Sequence, residues 1–180
     1  MLYFGTTTSG TTITSIPENV ENINVTNAST SATITSGSAD LVAKSDMPTA
    51  IDSTNKYVYG ITPGDNIEDY IKVNNGSFEL VANSLGKTNG TGATVKVKNS
   101  SGTVVDTYTI IIFGDVNGDG AITVTDANIV ANITVGGAIQ NDTNNMAADI
   151  NGDDNTTVTD ANIISNITLG GDIITNPYAK

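Results

Sequence analysis

The sequence predicts two modules, an N-terminal mostly-β domain (Ig-like or a small β-sandwich) followed by a small all-α module of two loop–helix repeats. Three observations predict this. Between residues 39 and 113, short alternating runs are separated by turns rich in Gly, Asn and Pro. From residue 114 the charge balance changes: residues 114–180 hold nine acids and a single base, Lys180, whereas residues 1–113 hold ten acids and six Lys. The acidic stretch also repeats itself at an offset of 34, with twelve of fifteen positions identical between Thr123–Gly137 and Thr157–Gly171.

The chain therefore divides into residues 1–38, 39–113 and 114–180. Residues 1–38 are rich in Thr, Ser and Asn, as in Thr6-Thr7-Thr8-Ser9-Gly10. They read as a flexible linker or, around Ile13–Ile16, Ile23–Val25 and Ala32–Ile34, as edge strands of the next domain. In the β domain, Lys56–Ile61 alternates as a strand does. The turn Thr62-Pro63-Gly64-Asp65 then leads into Asn66–Lys72, where Ile67, Tyr70 and Ile71 have the spacing of one short helix. Ser77–Ala82, Ala93–Lys98 and Thr103–Phe113 follow as strands, the last two joined by the hairpin turn Asn99-Ser100-Ser101-Gly102. No set of carboxylates, hydroxyls and bases converges in this domain, which reads as a structural spacer.

Composition narrows the function. A net charge of -12 makes nucleic acid and anionic membranes poor partners. With no Cys and no His, disulfides, zinc sites and His- or Cys-dependent catalysis are excluded. There is no Trp, and nine Phe plus Tyr are too few for a broad stacking platform. The longest wholly apolar run, Ile110-Ile111-Ile112-Phe113, is far too short to span a bilayer. No signal peptide is evident, so a secreted parent would contain this chain as a fragment.

The repeat carries the chemistry. The first copy opens Asp115-Val116-Asn117-Gly118-Asp119-Gly120-Ala121-Ile122-Thr123-Val124-Thr125-Asp126. Oxygen-bearing side chains fall at positions 1, 3, 5, 9 and 12, with Gly at 6, which is the pattern of a twelve-residue calcium loop. Expected ligands are Asp115, Asn117, Asp119, the carbonyl of Ala121, Thr123 through water, and Asp126. The second loop supplies Asp149, Asn151, Asp153, the carbonyl of Asn155, Thr157 and Asp160. It departs at position 6, where Asp154 replaces Gly at a sharp turn expected to need positive φ. Carboxylates so close repel without a divalent ion, so metal and fold are expected to be coupled.

Each loop runs into a helix with a capping-box-like start, Thr123 with Asp126 and Thr157 with Asp160. Ile129, Val130 and Ile133, and in the second copy Ile163, Ile164 and Ile167, are expected to pack inward. Gly136-Gly137 and Gly170-Gly171 end the helices. The opposite face carries Val124, Asn128, Ala131 and Val135, flanked by Thr125 and Asn132. Val158, Asn162, Ser165, Leu169, Thr159 and Asn166 match it in the second copy. A solvated helix face is normally charged; these are uncharged and partly apolar, which suggests a buried interface.

Residues 114–171, with two DxNxDxxxTxTD-type loops and their helices, resemble a type I dockerin. The resemblance implies two bound Ca²⁺ and docking onto a cohesin module of a scaffoldin or cell-surface protein. The setting it implies is extracellular, in the cellulosome- or amylosome-like polysaccharide-degrading complexes that anaerobic bacteria carry on their surface. It places partner-specifying positions on Val124, Thr125, Ala131, Asn132 and Gly136, and on Val158, Thr159, Ser165, Asn166 and Gly170. Where many members carry Ser-Thr and Lys-Arg, this chain has Val-Thr and Ala/Ser-Asn, implying a less electrostatic contact. Near-identity of the copies implies that either helix can lead. Phe113 and Pro177-Tyr178 are expected to clasp the ends of the module, and the β domain resembles the X modules that precede dockerins.

The expected function is thus calcium-dependent docking by a secreted, non-catalytic module that is monomeric when free. The competing reading is a cell-surface adhesive or carbohydrate-binding β module with a calcium-stabilised tail. A calcium sensor would need a helix entering the first loop, where Thr107–Phe113 reads as strand.

Overall fold

The computed structural model describes residues 22–24, 33–35, 38–138 and 141–179. It divides into two compact units, Met1–Ser38 and Ala39–Lys180. In the first, β1 (Asn22–Asn24) pairs antiparallel with β2 (Thr33–Thr35), with Ile23 opposite Ile34. These strands form a two-stranded sheet. The expected alternation around Ile13–Ile16 lies outside the described residues.

The second unit begins with two sheets. One pairs β3 (Asp40–Ala43) antiparallel with β6 (Ile71–Asn74). The other has five strands in the order β4 (Ala50–Asp52), β5 (Tyr57–Tyr59), β9 (Val104–Ile110), β8 (Thr94–Asn99) and β7 (Gly76–Val81). All neighbours are antiparallel except β5 and β9, which run parallel. Leu41 and Ile71 of the small sheet pack with Val58, Val95, Val97, Tyr108 and Ile110 of the large one in a single core. The mostly-β, two-sheet domain expected from the alternating runs is present.

The short helix expected over Asn66–Lys72 is a correction: the structure has one 3-10 turn, Ile67–Asp69, and then strand from Ile71. Ile67, Tyr70 and Ile71 are all buried, as their spacing implied. The β-branched Ile71 and Val73 instead pair with Ala43 and Leu41 across the small sheet, and that pairing overrides a single helical turn. The hairpin between β8 and β9 closes where expected: Gly102 sits at φ 79, and the Asn99 side chain accepts from the Ser101 and Thr103 N–H groups.

Helices occupy the C-terminal part: α1 (Val124–Thr134), α2 (Asp142–Ala148) and α3 (Val158–Thr168). No described helix is long and apolar enough to cross a membrane. The sheet and the helices meet along the run Ile110–Phe113. Ile110 and Ile112 lie in the β core, whereas Ile111 and Phe113 lie in a second core with Val130, Ala147, Ala148, Ile150 and Ile164. Successive side chains of an extended segment point to opposite sides, so four consecutive apolar residues can serve two cores at once. Tyr57 and Tyr59 of β5 also pack against the helical core, while Val58 between them faces the β core.

Candidate functional site

The two acidic loops occupy Asp115–Asp126 and Asp149–Asp160, each ending in the first turn of a helix. Their internal bonding is nearly the same. At position 1, Asp115 accepts from the Gly118 and Gly120 N–H groups at 2.9 and 3.1 Å. Asp149 accepts from Gly152, Asp153 and Asp154 at 3.0, 3.1 and 2.9 Å. At positions 3 and 5, Asn117 donates to Asp119, and Asn151 donates to Asp153. Asp119 accepts from the Ala121 N–H and Asp153 from the Asn155 N–H.

Position 12 closes each loop. Asp126 accepts from the N–H groups of Val116, Asn117 and Thr123 and from the Thr123 hydroxyl. Asp160 accepts from Asn151 and Thr157 in the same way. The reciprocal half is also formed, because the Thr123 and Thr157 hydroxyls accept from the Thr125 and Thr159 N–H groups. Both capping boxes expected from the sequence are therefore made.

Asp115, Asp126, Asp149 and Asp160 are all buried. Among the described residues the ion pairs are Lys56–Asp106 and Lys98–Glu79, both in the β domain, so no described ammonium group neutralises the loops. Burial, reinforced by the facing charges of Asp126 and Asp119, pushes the Asp115 carboxyl up to about 6 against the lowering effect of the Thr91 and Gly120 N–H groups. Burial likewise raises Asp149, with Asp160 and Asp153 adding repulsion. Among the described residues no three acidic side chains converge on a single point. The position 1 and 12 carboxylates are instead turned onto backbone N–H groups of their own loop. Even so, the donor set fits a hard cation: it is all oxygen, its position 1 and 12 carboxylates are buried, and it carries negative charge that no described base offsets.

Position 6 behaves as its sequence implies. Gly120 lies at φ 87 and Asp154 at φ 65, the left-handed region that disfavours a side chain. Replacing Asp154→Gly should strengthen the second loop by about 1 kcal/mol, roughly a fivefold gain in cation affinity, with the first loop unchanged. A calcium titration that finds no gain would contradict the strain argument.

Helix α2 escaped the sequence reading, since seven residues with only Met146, Ala147 and Ala148 as apolar members carry no periodic stripe. Its N-cap residue, Asn141, accepts from the Asn144 N–H, a local signal that could have marked it. The helix bridges the loops. The Asn144 side chain donates to the Val116 carbonyl, the Ala147 carbonyl accepts from Gly114, and Asn145 accepts from the Thr156 hydroxyl. The second loop is therefore entered by a helix, whereas the first is entered from the sheet.

Helices α1 and α3 pack on each other through Ala127, Val130, Ala161 and Ile164. Val130 and Ile164 are fully buried, and Ile129, Ile133, Ile163 and Ile167 are half-buried. The two alanines were missed by the sequence reading, being too small to register in an apolar pattern. On the opposite faces Val124, Thr125, Asn128, Ala131, Asn132, Val135 and Gly136 are all exposed. So are Val158, Thr159, Asn162, Asn166, Leu169 and Gly170, with Ser165 half-buried. Two equivalent pairs are exposed to the same degree: Val124 and Val158 at 60% each, Val135 and Leu169 at 81% and 83%.

Phe113 and Tyr178 meet edge to face at 5.7 Å, and Tyr59 of β5 completes the cluster at 5.9 Å from Phe113 and 6.0 Å from Tyr178. The clasp between the ends of the module thus includes a residue of the β domain. Tyr178→Ala should cost about 1–2 kcal/mol in chemical unfolding of the full chain. Tyr178→Phe, which keeps the ring, should cost little.

Residues 113–168 match the family model described as the dockerin type I domain. No curated protein and no solved structure gives a match. The matched segment covers both loops and the helices that follow them, and it is a type I dockerin, a calcium-binding module that docks onto cohesins. The β-rich region ahead of it lies outside the match.

Proposed function

We propose that this chain, whose residues 113–168 form a type I dockerin, anchors a secreted protein into an extracellular polysaccharide-degrading complex by docking onto a cohesin. The partner is a cohesin of a scaffoldin or cell-surface protein of an anaerobic bacterium. The chain is itself non-catalytic and monomeric until it docks, with no part for nucleic acid or membrane.

Each loop holds one Ca²⁺ in this reading. Asp115, Asn117, Asp119, the Ala121 carbonyl, Thr123 and Asp126 serve the first ion. Asp149, Asn151, Asp153, the Asn155 carbonyl, Thr157 and Asp160 serve the second. Bound calcium neutralises buried carboxylates and fixes each loop against the first turn of its helix. The protein's own part is to hold α1 and α3 back to back through Ala127 and Ala161, so that both outer faces stay presented.

The single observation that carries the reading is the matched pair of uncharged, exposed helix faces on a module of otherwise acidic character. Apolar surface of this kind is stabilised when a partner covers it. Calorimetric titration of the full chain against a panel of cohesins tests it. Binding to at least one cohesin in calcium, lost in chelator and restored by calcium, is the expected result. Failure to bind any cohesin would contradict it.

A further inference from the structure

The two loops share eight of their twelve residues, yet they stand in different surroundings, and the difference lies in the β domain. The side chain of Asn83, two residues past the end of β7, makes four hydrogen bonds. Its carbonyl oxygen accepts from the Leu85 and Lys87 N–H groups at 3.0 and 3.1 Å, fixing the turn that follows. Its amide donates to the Thr91 carbonyl at 2.9 Å and to the Gly118 carbonyl, at position 4 of the first loop, at 2.6 Å. Both donors and both acceptor sites of the side chain are thereby used.

Thr91 continues the contact. Its N–H donates to Asp115 at 2.9 Å, so this carboxylate has a donor from outside its loop, whereas every donor to Asp149 comes from within its own loop. The Thr91 hydroxyl exchanges hydrogen bonds with the backbone of Ile112, at 3.0 and 3.1 Å, just ahead of the loop. Gly90 lets the chains approach, since a Cβ there would lie 2.4 Å from the Gly118 carbonyl oxygen.

The same contact accounts for the difference between the loops at position 6. A Cβ on Gly120 would meet the Asn89 carbonyl oxygen at 3.0 Å, in addition to the strain of its φ of 87. At the equivalent place in the second loop Asp154 is exposed, and its side chain has room. The second loop instead meets the C-terminal tail, with Gly152 against Pro177 and Tyr178.

We infer that Asn83, with the backbone of Gly90 and Thr91, is a positioning element of the first calcium loop, so that the two loops fill in order, the first tightly and the second reversibly. The inference rests on the reading that the loops bind calcium. A loop whose carboxylate and carbonyl are already held loses less freedom on taking up an ion.

Calorimetric calcium titration of the full chain, paired with hydrogen exchange in chelator, tests this. The wild-type chain should show two unequal steps. Asn83→Ala should weaken the tighter step about fivefold to tenfold and leave the weaker one unchanged. In chelator, the Gly118 and Gly120 amides should exchange more slowly than those of Gly152 and Asp154, and Asn83→Ala should erase that difference. Asn99→Ala, which removes a comparable side-chain turn bond from the β8–β9 hairpin, should change neither measurement. General loosening of the β domain would not act on one loop alone. Calcium uptake at both loops that Asn83→Ala leaves untouched overturns the inference but not the calcium reading. A wild-type chain that takes up no calcium overturns both.

Discussion

Placing Asp at Val124 and Thr125 in one copy should leave cohesin binding within a few-fold of wild type, whereas the same change at Val124, Thr125, Val158 and Thr159 together should abolish it. All four positions are exposed, at the first two positions of α1 and α3. A carboxylate in the first turn of a helix favours the helix, so these changes test the surface rather than the fold. The expectation rests on the proposal that either copy can dock, which the equal exposure of Val124 and Val158 supports. With both faces charged, docking would bury unpaired carboxylates, and a loss of at least about a hundredfold is expected. Surface binding assays against the cohesin chosen by titration read this directly. Complete loss from the first copy alone would show that α1 leads every docking event.

The second large effect concerns stability. Asp126→Ala removes the acceptor of three backbone N–H groups and one hydroxyl in a fully buried place. Unpaired buried donors and a lost cap together should cost about 3–4 kcal/mol, seen as a lower midpoint of chemical unfolding even in chelator. Asp126→Asn retains one acceptor oxygen and should cost less. Asp160 accepts from two N–H groups and a hydroxyl, one of the bonds long at 3.3 Å, so Asp160→Ala should be milder than Asp126→Ala. Equal losses at the two positions would contradict the asymmetry between the loops.

The site was legible in the sequence to the extent that its parts are local. A twelve-residue loop, its cap and the next helix are contiguous, so the capping boxes and the exposed outer faces could be read from spacing alone. The need for positive φ at position 6 followed from loop geometry, and Asp154 meets it. Elements without a period escaped. Strands β3, β4 and β6 have three or four residues each, and the seven residues of α2 pack through Ala147 and Ala148 rather than through a stripe. At Asn66–Lys72 a helical spacing was real, yet strand pairing of Ile71 prevailed. Least legible was the contact of Asn83 with Gly118, since 35 residues separate them and neither carries a local signal of the other.

The β domain and the dockerin are thus joined by more than the chain. Ile110–Phe113 serves two cores, Tyr59 closes the aromatic cluster with Phe113 and Tyr178, and the turn after β7 rests on the first loop. Pulling on one part is therefore transmitted to the other through buried side chains as well as backbone.

Native mass spectrometry of the full chain, with circular dichroism on the same samples, addresses most directly whether cations hold the docking surface in place. Two calcium ions per chain should be retained, and chelation should remove them together with part of the helical signal. A chain that stays fully helical while carrying no calcium at all would contradict the account.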